Sequence, residues 1–578
     1  MSGKPKVLRR ILVANRGEIA VRILRTCRAL GIETVLAVSD ADADSLPARL
    51  ADSAVRIGPA APAASYLNVA AVVNAAQAAG ADAIHPGYGF LSESPRLARA
   101  CDAAGLVFIG PTAEQLEAVG DKLAARGRAA AAGLPVLPGG AVVPGGGAAG
   151  SGAAPGERTE PTDRGERSGW AERDERSGWA ERSGWGERSG WGERGQPGGR
   201  GERSDRGGWG ERGEPGGRGE RSDRGGRGEL AELAGRIGWP VLVKAVGGGG
   251  GRGLRPVHIP AELGAAVERA AAEAEAAFGD PRVYLERYVQ KGRHVEVQLL
   301  GDGERVIHIG DRDCSVQRRY QKLLEEAPAP LLEGGLRDQI RQAGVTFGRF
   351  LGFRGLGTVE FLVDAERGEF WFLEMNARIQ VEHPVTEAIC RLDLVAEQIA
   401  VAEGRALRLA QDEVALAGHA IECRINAEDP ADGFRPSPGT VTRAVFPAGP
   451  GIRVDTHVQA GSVVPPGYDS LLAKLIVSGR DRAEALARLR GALARCEIGG
   501  VTTTIGMHAR LASDDEFSRG GVDTGYLARF GEGTRETGDA RLTGDARETG
   551  DAREMGDARL TGDAREIGDA REMGDARG

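Results

Sequence analysis

Residues 11–15, ILVAN, form a continuous apolar run. After the turn-like RGEI, the apolar positions Ile19, Ile23, Cys27 and Leu30 recur at helical spacing until Gly31 interrupts them. TVLAV is the next strand-like run, and the alternation continues through DAIHPGYG and LVFIG. Strands alternating with helices predict a Rossmann-like parallel sheet with helices on both faces over residues 1–115.

Two later stretches read as hairpins. In PVLVKAVGGGGGRGLRPVHI, one strand precedes Gly247–Gly251, and a second follows in which Leu254, Pro256 and His258 alternate with Arg255 and Val257. A tip without side chains lets backbone N–H groups close over phosphates. It is not a Walker A loop, because the Lys-Ser/Thr pair is missing and a strand follows where a helix would be needed. Lys244, on the strand before the glycines, can reach the same phosphates. In GTVEFLVDAERGEFWFLEMNARIQVEH, residues 357–383, two strands flank a turn near Arg367. A symmetric hairpin places Glu360 across from Glu374, a repulsive pair unless a cation lies between them. Glu374, Asn376, Arg378, Gln380 and Glu382 then alternate with apolar residues, so an extended chain turns all five to one face. Two carboxylates and an amide suit Mg²⁺ bearing nucleotide phosphates. The cation and acid beyond them suit an anionic substrate and a proton acceptor.

Two segments have no such pattern. Between 151 and 228 there are 16 Arg and 16 Asp plus Glu, five tryptophans (Trp170, Trp179, Trp185, Trp191, Trp209), and no Leu, Ile or Val. Without aliphatic residues no core can form, so an insert over about 148–228 is expected to be disordered. Its RGG-like pieces could suit RNA, but acids balance every Arg. From 536 to 577 a hexad of the form ETGDAR repeats seven times, a period that fits neither helix nor strand, and the tail 531–578 is expected to be disordered.

Composition narrows the class further. The chain has 578 residues, net charge −8 and 41% hydrophobic residues, which predicts several domains and gives no reason to expect nucleic-acid or membrane partners. The six cysteines are scattered without a C-x-x-C pair, no signal peptide opens the chain, and no apolar run could span a bilayer, so a cytoplasmic location is expected.

The motifs ILVANRGEIAVRILR, AIHPGYGFLSE, GDK, VKAVGGGGGRG, RHVEVQ, RDCSVQRRYQKLLEEAPAP, EMNARIQVEHPVTE, HAIECRINAEDP and PGYDSLLAKLI occur in the order found in biotin carboxylase, a member of the ATP-grasp superfamily, and the chain resembles that family over nearly its whole core. The resemblance implies an α/β protein: the N-terminal domain at 1–115, an ATP-grasp domain with a mobile glycine-rich lid at 116–410, and a C-terminal α+β domain at 411–530. It implies ATP-dependent carboxylation of biotin with bicarbonate and Mg²⁺ (or Mn²⁺). Lys122, Lys244, Gly250 and Gly251 would contact ATP phosphates. Glu286, Arg287, Tyr288, Val289 and His294 would hold adenine and ribose. Glu360, Glu374 and Asn376 would ligate the metal. Lys322, Arg378, Gln380 and Val381 would bind bicarbonate, with Glu382 as its base. Arg378 would also stabilise the biotin enolate, Arg424 would assist biotin or carboxyphosphate, and Tyr88 lies in a motif near the biotin pocket. Tyr320 stands where some members carry His and would contact ATP.

Met-Lys-Met, the biotin carrier signature, does not occur, and no transferase-like segment follows. A separate biotin carboxyl carrier protein and carboxyltransferase subunits are therefore expected, with the chain itself a homodimer and the complex an acetyl-CoA or other acyl-CoA carboxylase. A carboxylate–amine ligase or carbamoyl phosphate-forming synthetase of the same superfamily is the alternative, and a non-catalytic scaffold a more remote one.

Overall fold

The computed structural model describes residues 6–142, 230–246 and 254–530. The insert, Gly250 and Gly251 of the glycine run, and the hexad tail lie outside the described residues. The chain up to Gly525 forms one unit and Tyr526 onward a second, of which only a short helical stretch at 526–530 is described.

The N-terminal pattern folds as expected. Five parallel strands lie in the order Ser53–Gly58, Glu33–Ser39, Arg10–Val13, Ala83–His85, Val107–Phe108. Ile11, Leu12 and Val13 are fully buried at its centre, as expected of a parallel strand covered on both faces. The helix Gly17–Ala29 packs Ile19, Ile23 and Cys27 inward, but Leu30 is its cap and stands 46% exposed, one step beyond the buried stripe. At the strand ends, the Asn15 amide donates to the carbonyls of Pro86 and Tyr88, each at 2.7 Å. Between them Gly87 has φ +64°, and a Cβ there would approach that amide to 3.0 Å. This pinned turn sets Tyr88 at the mouth of the cleft described below.

An eight-stranded antiparallel sheet forms the centre. Its order is Glu369–Asn376, Arg354–Asp364, Arg293–Asp302, Val306–Arg318, Gln321–Ala327, His419–Asn426, Leu471–Gly479, Ile452–Thr456. It runs unbroken from Gln321–Ala327 to His419–Asn426. The helix Gly334–Phe350 buries Leu336, Ile340, Val345 and Phe347 against it, and Phe347 meets Phe372 edge-on at 5.0 Å. Each such side chain contributes about 1.5–3 kcal/mol on burial.

A four-stranded sheet, Gly139–Val142, Val283–Arg287, Val241–Ala245, Arg255–Val257, stands apart from it in the strand order. Val241 pairs with Val257 and Val243 with Arg255, the hairpin expected around the glycine run. The PGG segment at 138–140 leads into an edge strand, Gly139–Val142. Gly139 lies so close to the neighbouring strand that a Cβ would come within 2.4 Å of the Leu285 carbonyl, and at Gly140 one would meet Leu233 at 3.0 Å, so two glycines that look like a turn are needed for close packing. All six cysteines are unpaired. No helix among the described residues is long and apolar enough to cross a membrane.

Candidate active site

A cleft of about 880 Å³ lies between the central sheet and the four-stranded sheet. Its walls include Tyr88, Lys122, Lys244, Arg287, Tyr288, Val289, His294, Tyr320, Lys322, Glu360, Glu374, Asn376, Arg378, Gln380, Val381 and Arg424, so residues from 88 to 424 meet in one space. Glu286 sits behind the wall, buried, where Lys244 reaches it at 2.5 Å. Gly250 and Gly251, expected over the phosphates, are outside the described residues.

The floor is built by strand register. Glu374 pairs with Glu360, Glu360 with Glu296, and Glu296 with Arg312, so three carboxylates and a guanidinium stand abreast on four strands. The turn is centred between Glu366 and Arg367, so the first pairing is reached through an irregularity and not through the symmetric hairpin expected. Around the turn Phe361 pairs with Phe372, and Leu373 is an extra residue that restores Glu374 to a place opposite Glu360. Without that bulge Glu374 would face Val359 and point away from the cleft.

Like charges side by side repel, and cations answer them. The Lys322 ammonium lies 2.6 Å from Glu296, 2.9 Å from Glu360 and 2.7 Å from Glu382. Burial alone would push this lysine down; the three carboxylates outweigh it and hold it well above its usual range. Burial would likewise raise Glu382, but Lys322, Arg424 and Arg312 hold it well below the usual carboxylate range. Glu360 is lowered for the same reason, by Lys322 and His294 against burial. His294 lies 3.1 Å from Glu360, and its other ring nitrogen lies 2.8 Å from the Gln317 amide. Lys122, at the head of the helix Lys122–Ala131, reaches Glu374 at 3.0 Å. Two carboxylates and the Asn376 amide oxygen at the cleft wall are hard donors, and that set fits Mg²⁺.

The five polar residues after the turn do not lie on one extended strand. The strand stops at Asn376, the chain bends, and Glu382 is the cap residue of the helix His383–Cys390. The side chains converge through hydrogen bonds instead of alternation. Asn376 Oδ1 accepts from Gln380 at 2.6 Å and from Arg378 at 3.0 Å, and Arg378 donates to Glu93 at 2.9 Å. His383 Nδ1 lies 2.7 Å from the Gln380 carbonyl, fixing the peptide that bears the Val381 N–H; Lys474 donates to the Val381 carbonyl at 2.9 Å. Arg424 donates to Glu382 at 3.0 Å and to Glu325 at 2.6 Å.

Tyr88 lines the cleft, but its hydroxyl is engaged by Glu18 of the first helix. Tyr320 lies in a two-residue turn with Arg319, at φ +69° and +48°, which presents it 44% exposed at the cleft mouth. Sequence reasoning misses Glu296, Arg312 and Glu93. The signal for Glu296 is present in RHVEVQ, where His294, Glu296 and Gln298 interrupt a strand otherwise apolar; Glu93 closes the motif AIHPGYGFLSE, but nothing beside it shows that it meets Arg378.

Three family models match the chain. Residues 7–116 match the family described as biotin carboxylase, N-terminal domain; 215–410 match carbamoyl-phosphate synthase L chain, ATP binding domain; and 422–529 match biotin carboxylase C-terminal domain. A biotin carboxylase of Nostoc sp. is 43% identical over 519 residues, 90% of this chain and 98% of its own. A pyruvate carboxylase subunit from Methanothermobacter thermautotrophicus is 41% identical over 525 residues, 91% of this chain and 90% of its own. Among solved structures, the biotin carboxylase domain dimer of Hydrogenobacter thermophilus 2-oxoglutarate carboxylase, in complex with MgADP, ADP and bicarbonate, is similar with a TM-score of 0.73 at 37% identity, covering 91% of this chain and 98% of that one.

Proposed function

The chain belongs to the biotin carboxylase family, and from that premise we propose that it is the biotin carboxylase subunit of an acetyl-CoA or other acyl-CoA carboxylase, acting on biotin held by a separate carrier protein. It is an ATP-dependent ligase that carboxylates biotin, using ATP, Mg²⁺ and bicarbonate. The observation that supports our assignment of roles most directly is Lys322 gripped by Glu296, Glu360 and Glu382, with Arg424 on the other oxygen of Glu382.

Each role follows from charge and position. Lys122 and Lys244 supply positive charge to the ATP phosphates, with Tyr288, Val289 and His294 at the nucleoside end. Glu360, Glu374 and Asn376 would hold Mg²⁺, which would neutralise phosphoryl charge. Arg378, Gln380, Lys322 and the Val381 N–H receive bicarbonate. An anion entering there draws Lys322 and Arg424 toward itself, which releases Glu382 to take the bicarbonate proton. The bicarbonate oxygen then attacks the γ-phosphate, ADP leaves, and the carboxyphosphate divides into CO₂ and phosphate. Phosphate takes the proton of the biotin ureido nitrogen, and that nitrogen bonds to CO₂ with Arg378 and Arg424 beside the enolate charge.

We further propose a homodimer in the cytoplasm and three domains, 1–115, 116–410 and 411–530, with carrier and carboxyltransferase subunits as partners. A 2-oxo acid carboxylase is the second reading, favoured by the pyruvate and 2-oxoglutarate carboxylases among the relatives. ATP cleavage by the purified chain should require both bicarbonate and free biotin; cleavage indifferent to biotin would favour a carboxylate–amine ligase. Capture of a transferase that acts on an acyl-CoA, as opposed to a 2-oxo acid, decides between the two carboxylases.

A further inference from the structure

Behind the cleft two more carboxylates face each other. The strands Gln321–Ala327 and His419–Asn426 pair with Glu325 directly opposite Glu422. Both side chains are fully buried. Glu325 Oε1 accepts from Arg424 Nε at 2.6 Å and lies 2.5 Å from its Nη2 in an ion pair. Glu325 Oε2 and both oxygens of Glu422 meet no donor among the described residues.

Two ionised carboxylates cannot be kept opposite each other in an apolar setting; one proton resolves the conflict, because a protonated carboxyl can donate to its neighbour's free oxygen. The charged groups facing the pair decide where that proton lies. Arg424 is engaged by Glu325 and by Glu382 at 3.0 Å. Lys474, on the strand beyond Glu422, is engaged by Glu18 at 3.1 Å and the Val381 carbonyl at 2.9 Å. Lys322, on the strand of Glu325, is engaged by Glu296, Glu360 and Glu382. Glu325 therefore has a cation in contact and Glu422 has none. Burial pushes Glu422 well above the usual carboxylate range, and the charge of Glu325 opposes the partial relief that Lys474 supplies. Glu325 is itself pushed up to about 7 by burial, against the pull of Arg424.

We propose that Glu325 and Glu422 share one buried proton, resident on Glu422, and that the ionised Glu325 is a positioning residue that fixes Arg424 against Glu382 at the biotin end of the cleft. The functional half rests on the roles of Arg424 and Glu382 given above. Glu325 does not line the cleft and touches no reactant; it acts through Arg424.

Infrared spectroscopy and steady-state kinetics on the full chain test both halves. The wild-type spectrum contains a protonated-carboxyl band that Glu422→Gln removes while circular dichroism is unchanged. With free biotin as substrate, Glu325→Gln raises the biotin KM about 10–100-fold, the loss expected of a charge-assisted contact, while the ATP KM is kept. Glu325→Asp recovers part of the affinity. In an Arg424→Gln background, Glu325→Gln adds little, because both changes remove one coupled unit. An unchanged biotin KM in folded Glu325→Gln overturns the positioning role, and an unchanged band in Glu422→Gln overturns the shared proton. If Glu325→Gln does not fold, Glu325→Asp and the infrared comparison decide. A wild-type chain without biotin-dependent turnover overturns the functional reading alone, and the band still decides the proton.

Discussion

Glu374 stands opposite Glu360 because Leu373 bulges from the strand that carries it. The cleft face of that hairpin gains a second carboxylate from one extra residue, and the oxygen donors we propose for a divalent cation come together across two strands.

Glu374→Gln should weaken Mg²⁺ dependence and ATP cleavage together. An amide keeps the shape but halves the charge the pair offers to a cation. A Mg²⁺ titration of ATP cleavage checks this: the half-saturating concentration should rise, and a fall in rate with an unshifted titration would remove Glu374 from the metal site.

Lys322→Met should cost about 3–5 kcal/mol of stability near neutral pH, because three buried carboxylates lose their common partner. The pH dependence has a definite sign. Glu360 and Glu382 are depressed in the folded chain, so their contribution is present above the unfolded carboxylate value of about 4.3 and is lost as pH falls through their folded values. The variant lacks this contribution, and its deficit relative to wild type should shrink as pH is lowered. Denaturant titrations at neutral and acid pH would show a constant deficit if the ion cluster were not responsible.

His383→Ala should raise the bicarbonate KM about 2–10-fold, the worth of one ordinary hydrogen bond. His383 is buried and held well below its usual range by burial and by Lys474, so the neutral ring donates from Nδ1 to the Gln380 carbonyl and aims the Val381 N–H. An unchanged bicarbonate KM with intact folding would show that the peptide is held by other means.

Deleting about residues 148–226 should leave carboxylation of free biotin largely intact. The described flanks are an edge strand at Gly139–Val142 and a helix at 230–237, and each halving of a connection changes closure by only about 0.6 kcal/mol. The check is biotin-dependent ATP cleavage with circular dichroism of the same protein. A folded variant with less than a tenth of wild-type activity would give the insert a part in catalysis.

The local periodicities are legible in the sequence: the buried parallel strands, the glycine hairpin and the approach of Glu360 to Glu374. Where sequence reasoning fails, a non-local contact decides the outcome. Gly139 and Gly140 look like a turn until Leu285 and Leu233 press against them. Residues 377–382 alternate like a strand, yet Glu93 from the N-terminal region and the start of the next helix bend them away. Glu296 and Arg312 are visible as letters but gain meaning only from a register that spans four strands, and the opposition of Glu325 and Glu422 joins residues almost a hundred positions apart.

The central claim is that Glu382, held ionised between Lys322 and Arg424, is the group that takes the bicarbonate proton. The most direct measurement is the rate of biotin carboxylation by Glu382→Gln beside its ATP affinity. The rate should fall by about 10²–10⁴ with ATP binding close to that of the wild type; carboxylation at the wild-type rate would remove Glu382 from that role.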